Sequence, residues 1–127
     1  MWKTLCAASA AWFLATGSLS AATPDVKTEV KMERQSLNLT QEWDKVFPLS
    51  PKVSHRKVTF TNRYGITLAV DMYVPKEAEG KLPAIAVSGP FGAVKEQSSG
   101  LYAMVLAERG FLTIAFDPSY TGESGGE

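Results

Sequence analysis

From Lys57 onward the chain alternates apolar and polar residues with a period of two. Val58 and Phe60 alternate with Thr59 and Thr61, Asn62-Arg63-Tyr64-Gly65 reads as a turn, and Ile66, Leu68, Val70, Met72 and Val74 alternate with Thr67, Ala69, Asp71 and Tyr73 as far as Pro75. Two such runs across a short turn predict an antiparallel β-hairpin with one buried face. After a charged connection, Lys76 to Lys81, the pattern changes. Leu82 to Ser88 is a short apolar run that stops at the turn signal Gly89-Pro90-Phe91-Gly92. Polar residues Lys95 to Ser99 lead into Leu101 to Arg109, an amphipathic helix for which Gly110 supplies a left-handed cap. Phe111 to Phe116 is a second apolar run, ended by Asp117-Pro118. Strand, helix and strand in this order make a βαβ unit with parallel strands and a right-handed crossover. Hairpin followed by βαβ is a mixed α/β layout. Ligands of parallel sheets lie beyond the carboxyl ends of the strands, and both loops, 88–100 and 117–127, fall there.

The first fifty-odd residues do not follow this pattern. Met1-Trp2-Lys3 is a positive start, Thr4 to Leu19 is apolar and Ala-rich, and Ser20-Ala21-Ala22 places small residues for cleavage before Thr23. That is the layout of a secretory signal peptide over 1–22, implying a secreted or periplasmic product. The run is shorter, and more diluted by Ser, Thr and Gly, than a spanning anchor of about 20 apolar residues. Cys6, the only cysteine, leaves with the signal, so the mature chain can form neither a disulfide nor a thiolate metal site. Residues 23–56 read as a polar leader in which Val26, Val30 and Met32 are thinly spread. Trp43, Val46 and Phe47, at helical spacing, pin a short segment of it to the core. Asn38-Leu39-Thr40 matches a glycosylation acceptor, which matters only in a eukaryotic secretory pathway. About 105 residues remain after the signal, enough for one small domain, assigned to 57–127.

Charge narrows the function. Lys plus Arg and Asp plus Glu number 13 each, which leaves no basic footprint for nucleic acid and no polybasic patch for a membrane surface once the signal is cleaved. Neither a G-x-G-x-x-G nor a G-x-x-x-x-G-K-S/T loop occurs, and no His, Asp and Glu cluster has metal-ligand spacing, so no cofactor and no metal is expected.

Three stretches resemble one family. Asn62 to Pro75, NRYGITLAVDMYVP, is similar to the opening hairpin of α/β-hydrolases, in particular the bacterial branch related to dienelactone hydrolases and Xaa-Pro peptidase-like esterases. Leu82 to Ala103 resembles that branch's third strand and oxyanion loop, and Gly110 to Glu127 its fourth strand and following loop. The resemblance covers 57–127, with GAVKEQ and DPSYTGESGG its more specific runs. It implies the N-terminal half of an α/β-hydrolase sheet, truncated before the fifth strand. The parent would be a serine hydrolase that cleaves a small-molecule ester or amide through an acyl-enzyme, with nucleophile, acid and histidine following in that order. The family commonly has His-Pro-Gly or His-Gly in the oxyanion loop, where this chain has Ser88-Gly89-Pro90-Phe91-Gly92.

The candidate residues follow. Read alone, Gly89 to Gly92 is a tight turn around a buried aromatic. The resemblance adds a role for Phe91, whose backbone N–H is the natural oxyanion donor because Pro90 has none. Gly122-Glu123-Ser124-Gly125-Gly126 matches G-x-S-x-G, but five residues separate it from the strand end and no helix follows, so Ser124 reads as a decoy. His55, the only histidine, precedes the predicted strands and reads as solvated. Without a base, none of Ser88, Ser119 and Ser124 is activated. Asp117 reads as a brace for its loop, and Lys95 and Glu96 as a pair with each other or with the loop of the fourth strand. In the family's strand order the third strand lies beside the fifth, so Ala84 to Val87 would have a bare edge prone to self-association. The alternative is a stand-alone, non-catalytic secreted binding domain on the same half-sheet, its open edge paired with a partner.

Overall fold

The computed structural model describes residues 35–126. The stretch expected to be a signal peptide, with Cys6, and the first part of the expected leader lie outside the described residues. Five elements follow one another: β1 (Val53–Thr61), β2 (Thr67–Pro75), β3 (Ala84–Val87), α1 (Ser98–Ala107) and β4 (Leu112–Phe116). They form one four-stranded sheet in the order β1-β2-β4-β3. β1 and β2 pair antiparallel, β2 and β4 antiparallel, β3 and β4 parallel. Hairpin and βαβ unit are thus both present, and β3 is an edge strand within the described residues.

The local chemistry accounts for the turns. At the hairpin tip the Asn62 carboxamide oxygen accepts from the N–H groups of Tyr64 (2.9 Å) and Ile66 (3.1 Å), and Gly65 takes φ +80°. At the end of α1 the Gly110 N–H donates to the Ala107 carbonyl and the Phe111 N–H to the Leu106 carbonyl, with Gly110 at φ +97°. That pair of bonds is a Schellman cap, and only glycine enters it without steric cost.

The hairpin differs from its sequence pattern in two ways. β1 begins at Val53, so it takes in His55, which the pattern places before the first strand. And the face that α1 covers is the polar one. Register puts Val53, His55 and Lys57 with Thr67, Ala69, Asp71, Tyr73, Thr113 and Ala115 on one side of the sheet. There Val53, Tyr73 and Ala115 pack with Ala103, Met104 and Ala107 of α1 in the core, flanked by Trp43, Phe47 and Val87. Leu68 and Val70 on the other side are also buried, whereas Met72, Val74, Ile114 and Phe116 are half-buried and Phe60 is exposed. Alternation marks a strand but does not say which side meets the helix. Here polar groups take the helix side because the segment before β1 brings partners for them.

That segment, 35–52, has no helix. Trp43 Nε1 donates to the Phe47 carbonyl at 2.8 Å and the two rings meet edge to face, 5.7 Å apart. Trp43 and Phe47 pin the segment to the core, but Val46 is fully exposed, since a non-helical chain does not put residues three apart on one face.

Candidate functional site

The carboxyl ends of β3 and β4 open into two loops. The first, Ser88 to Gln97, contains a turn closed by the Ala93 N–H on the Pro90 carbonyl (3.0 Å), with Gly92 at φ +80°. A positive φ at the third position is the mark of a type II turn, with Phe91 at its second position. The Phe91 side chain is fully exposed, which corrects the picture of a turn around a buried aromatic. Its backbone N–H donates to no group among the described residues.

The second loop, Asp117 to Gly126, folds back on β2. Beyond Phe116 the strand pairing of β4 ends, and the loop takes over the backbone groups of β2. The Ala69 N–H donates to Ser124 Oγ (2.8 Å), and the Gly125 N–H to the Thr67 carbonyl (2.9 Å). Ser124 Oγ donates in turn to the Asp117 carbonyl at 2.8 Å. Its hydroxyl is thus a bridge between strand and loop. Ser119 Oγ accepts from Asn62 Nδ2 at 3.1 Å, and the exposed Ser88 faces only its neighbour's carbonyl. Among the described residues, none of these three hydroxyls has an imidazole partner.

His55 is not solvated. Its Nε2–H donates to Asp71 Oδ1 at 2.8 Å, while the Trp43 ring stands edge-on to it and the Tyr73 ring lies 5.0 Å away. Asp71, fully buried at mid-strand, also has Lys45 Nζ 3.0 Å from Oδ2, off the line of an aligned hydrogen bond. Burial pushes the Asp71 carboxyl up, but the His55 bond and the Lys45 charge outweigh it and hold it below its ordinary value.

A second ionic group ties the two loops together. Lys95 is completely buried, and its ammonium donates to Asp117 Oδ2 (2.9 Å), to Glu123 Oε2 (2.7 Å) and to Glu96. Its backbone N–H also donates to Asp117 Oδ1 at 2.7 Å. The Glu123 N–H closes on Asp117 Oδ2 at 3.0 Å. Asp117 is the brace its sequence position suggests, and Lys95 meets both partners the sequence offers it. Lys57 of β1 bridges Glu123 (2.8 Å) to Asp44 (2.7 Å), and Asp44 reaches Lys45 (2.7 Å). The Thr40 N–H donates to Glu123 Oε1 at 2.6 Å. Burial works to raise the Asp44 and Glu123 carboxyls, but the lysine hydrogen bonds dominate and bring both down to about 2. Burial likewise works against the Lys95 and Lys57 ammoniums, and their carboxylate partners more than reverse it.

One cleft lies away from this network and another beside the loop that carries Glu123. The first, of about 570 Å³, lies by Leu82, Pro75 and Ala107 to Gly110, at the opposite ends of β3 and β4. Parallel sheets do not take their ligands there. The other, about 290 Å³, lies beside the loop after β4, among Gln35, Leu37, Tyr120, Gly122, Ser124 and Gly125. Tyr120 is the only non-glycine residue at positive φ among the described residues, φ +64°. No group of three or more His, Cys, Asp or Glu among the described residues is arranged to hold a metal ion. No helix among them is long and apolar enough to cross a membrane.

The arrangement of hairpin, parallel pair and loops has counterparts in solved structures. Acetyl xylan esterase 1 from Thermoanaerobacterium superimposes with a TM-score of 0.53 at 20% identity, over 72% of this chain and 26% of that one. The fold is that of the α/β-hydrolases. The crystal structure of hypothetical protein PA2218 from Pseudomonas aeruginosa matches with a TM-score of 0.71, 74% identity, 73% of this chain and 29% of that chain. By sequence, the uncharacterized PA2218 is 76% identical over 92 residues, 72% of this chain. The uncharacterized protein YcjY of Escherichia coli is 52% identical over 77 residues, 58% of this chain. The chain spans about a quarter of the length of both curated relatives. No family model matches it.

Proposed function

We propose that this chain is the N-terminal part of an exported serine hydrolase of the α/β-hydrolase superfamily, in the branch related to dienelactone hydrolases and Xaa-Pro peptidase-like esterases. The parent cleaves a small-molecule ester or amide through an acyl-enzyme. The observation that carries the reading is the Phe91 N–H. It projects from a type II turn at the carboxyl end of β3, where this fold supplies one oxyanion donor, and it has no partner among the described residues. In the reaction the nucleophile's oxygen adds to the carbonyl carbon, and the carbonyl oxygen gains the negative charge that this N–H would stabilise. The second donor follows the nucleophile. Nucleophile, acid and histidine lie in this reading beyond Glu127, consistent with hydroxyls of Ser88, Ser119 and Ser124 that have no imidazole beside them among the described residues and with relatives roughly two and a half to three times as long.

A single substitution isolates the donor. Proline is favoured at the second position of a type II turn, so Phe91→Pro removes the N–H while suiting the turn, and the exposed ring leaves no cavity. In the native-length protein kcat on an aryl ester is expected to fall about 10²–10³-fold, the cost of one oxyanion donor, with an unchanged unfolding midpoint. An unchanged kcat contradicts the assignment.

A further inference from the structure

We propose that Lys95 is a positioning residue for the Phe91 N–H, and that the buried Lys95–Asp117–Glu123 cluster sets where the oxyanion donor stands. The inference rests on the hydrolase reading and extends it to the loop's anchor. The Pro90–Ala93 turn has little packing of its own, since Pro90, Phe91 and Gly92 are exposed. Four residues after Phe91 the chain is fixed at one residue by two different groups. Asp117 Oδ1 takes the Lys95 backbone N–H at 2.7 Å, and Asp117 Oδ2 takes its ammonium at 2.9 Å. All three ammonium protons are used, on Asp117, Glu123 and Glu96. On the far side of the same residue, the Lys95 carbonyl lies so close to Gly100 of α1 that a Cβ there would stand 2.4 Å away. Lys95 is therefore gripped by the end of β4, by the loop after β4 and by α1.

Full burial keeps Lys95 away from substrate, so it acts through the loop and not on the reacting atoms. Replacing a whole buried ion pair by apolar residues of similar volume is often neutral, so in this proposal what the cluster adds over apolar packing is the fixed position of its partners. In oxyanion stabilisation the geometry of the donor is what matters.

The test uses the native-length protein, with kcat counted per site titrated by a fluorophosphonate serine probe, together with amide hydrogen exchange at Phe91 and Gly92. For Lys95→Met the expected result is a kcat per titrated site about ten- to a hundred-fold lower, the penalty of a misplaced group, with KM within about two-fold of wild type and faster exchange at both amides. Lys45→Met serves as the control, because Lys45 binds Asp44 and Asp71 and touches neither loop. It should lose stability and keep kcat. If Lys95→Met does not fold, Glu123→Gln weakens the same grip with its shape retained and should shift both readouts in the same direction. Wild-type kcat per titrated site and wild-type exchange in these variants overturn the proposal. If the wild-type protein takes no probe and cleaves no aryl ester, the hydrolase reading fails. Exchange at Phe91 and Gly92 then decides separately whether Lys95 fixes the turn.

Discussion

Single residues here do work that their types do not advertise. Gly100 is the third residue of α1, where alanine would ordinarily stabilise a helix by about 1 kcal/mol. Its missing Cβ makes room for the Lys95 carbonyl, with the Tyr73 hydroxyl 3.2 Å and Phe47 3.4 Å from the same point. The nearest obstacle is backbone held by Asp117, so it cannot swing away, and overpacking typically costs about 1–3 kcal/mol. Gly100→Ala is therefore expected to lower the urea midpoint in spite of the better helix former. A raised midpoint would show that the loop anchor yields easily. Asp71 and Lys45 are residues whose burial the sequence hides, as it hides the half-buried place of His55 beside them. A charged residue within an alternating strand is assigned to solvent, and the partners of Asp71 come from 26 residues upstream and from the neighbouring strand. Only the acid at mid-strand hints at the arrangement.

Among elements, the hairpin, the βαβ order, the Asn62–Gly65 turn and the Gly110 cap were all legible, because period, apolar runs and glycine placement are local signals. The tie between the loops after β3 and β4 was legible only as a pairing of Lys95 with Glu96 or the later loop. Its extension through Glu123 to Lys57, Asp44 and Thr40 depends on long-range contacts that no spacing encodes. This clamp predicts a pH dependence. Glu123 and Asp44 titrate at about 2 in the folded chain, against ordinary values of 4.5 and 3.8. The unfolded chain binds more protons in that interval, so the stabilisation is complete above about pH 5 and is lost as pH falls toward 2. Lys95 and Lys57 titrate above their ordinary 10.5, so their contribution is complete below that value and is lost as pH rises through the folded values. Urea midpoints should be level from about pH 5 to 10 and drop on both sides. A midpoint that stays level down to about pH 3 contradicts the clamp.

At the scale of the molecule, the described residues are a sheet with one helix-covered side, a second side on which Phe60 remains exposed, and β3 along an edge. Sheet, helix and loops match the opening part of an α/β-hydrolase fold, and the matched stretch is about a quarter of each curated relative. The same geometry accounts for Ser124. Its G-x-S-x-G context belongs to a loop that returns to β2, and its hydroxyl holds the two together. In the proposed hydrolase, catalysis belongs to the native-length protein and the nucleophile lies outside these residues. Labelling the native-length product with a fluorophosphonate probe and mapping the modified peptide tests it directly. One labelled serine is expected, located beyond Glu127, in a product roughly two and a half to three times the length of this chain. Label on Ser124, Ser119 or Ser88, or a native product that takes no label, would contradict it.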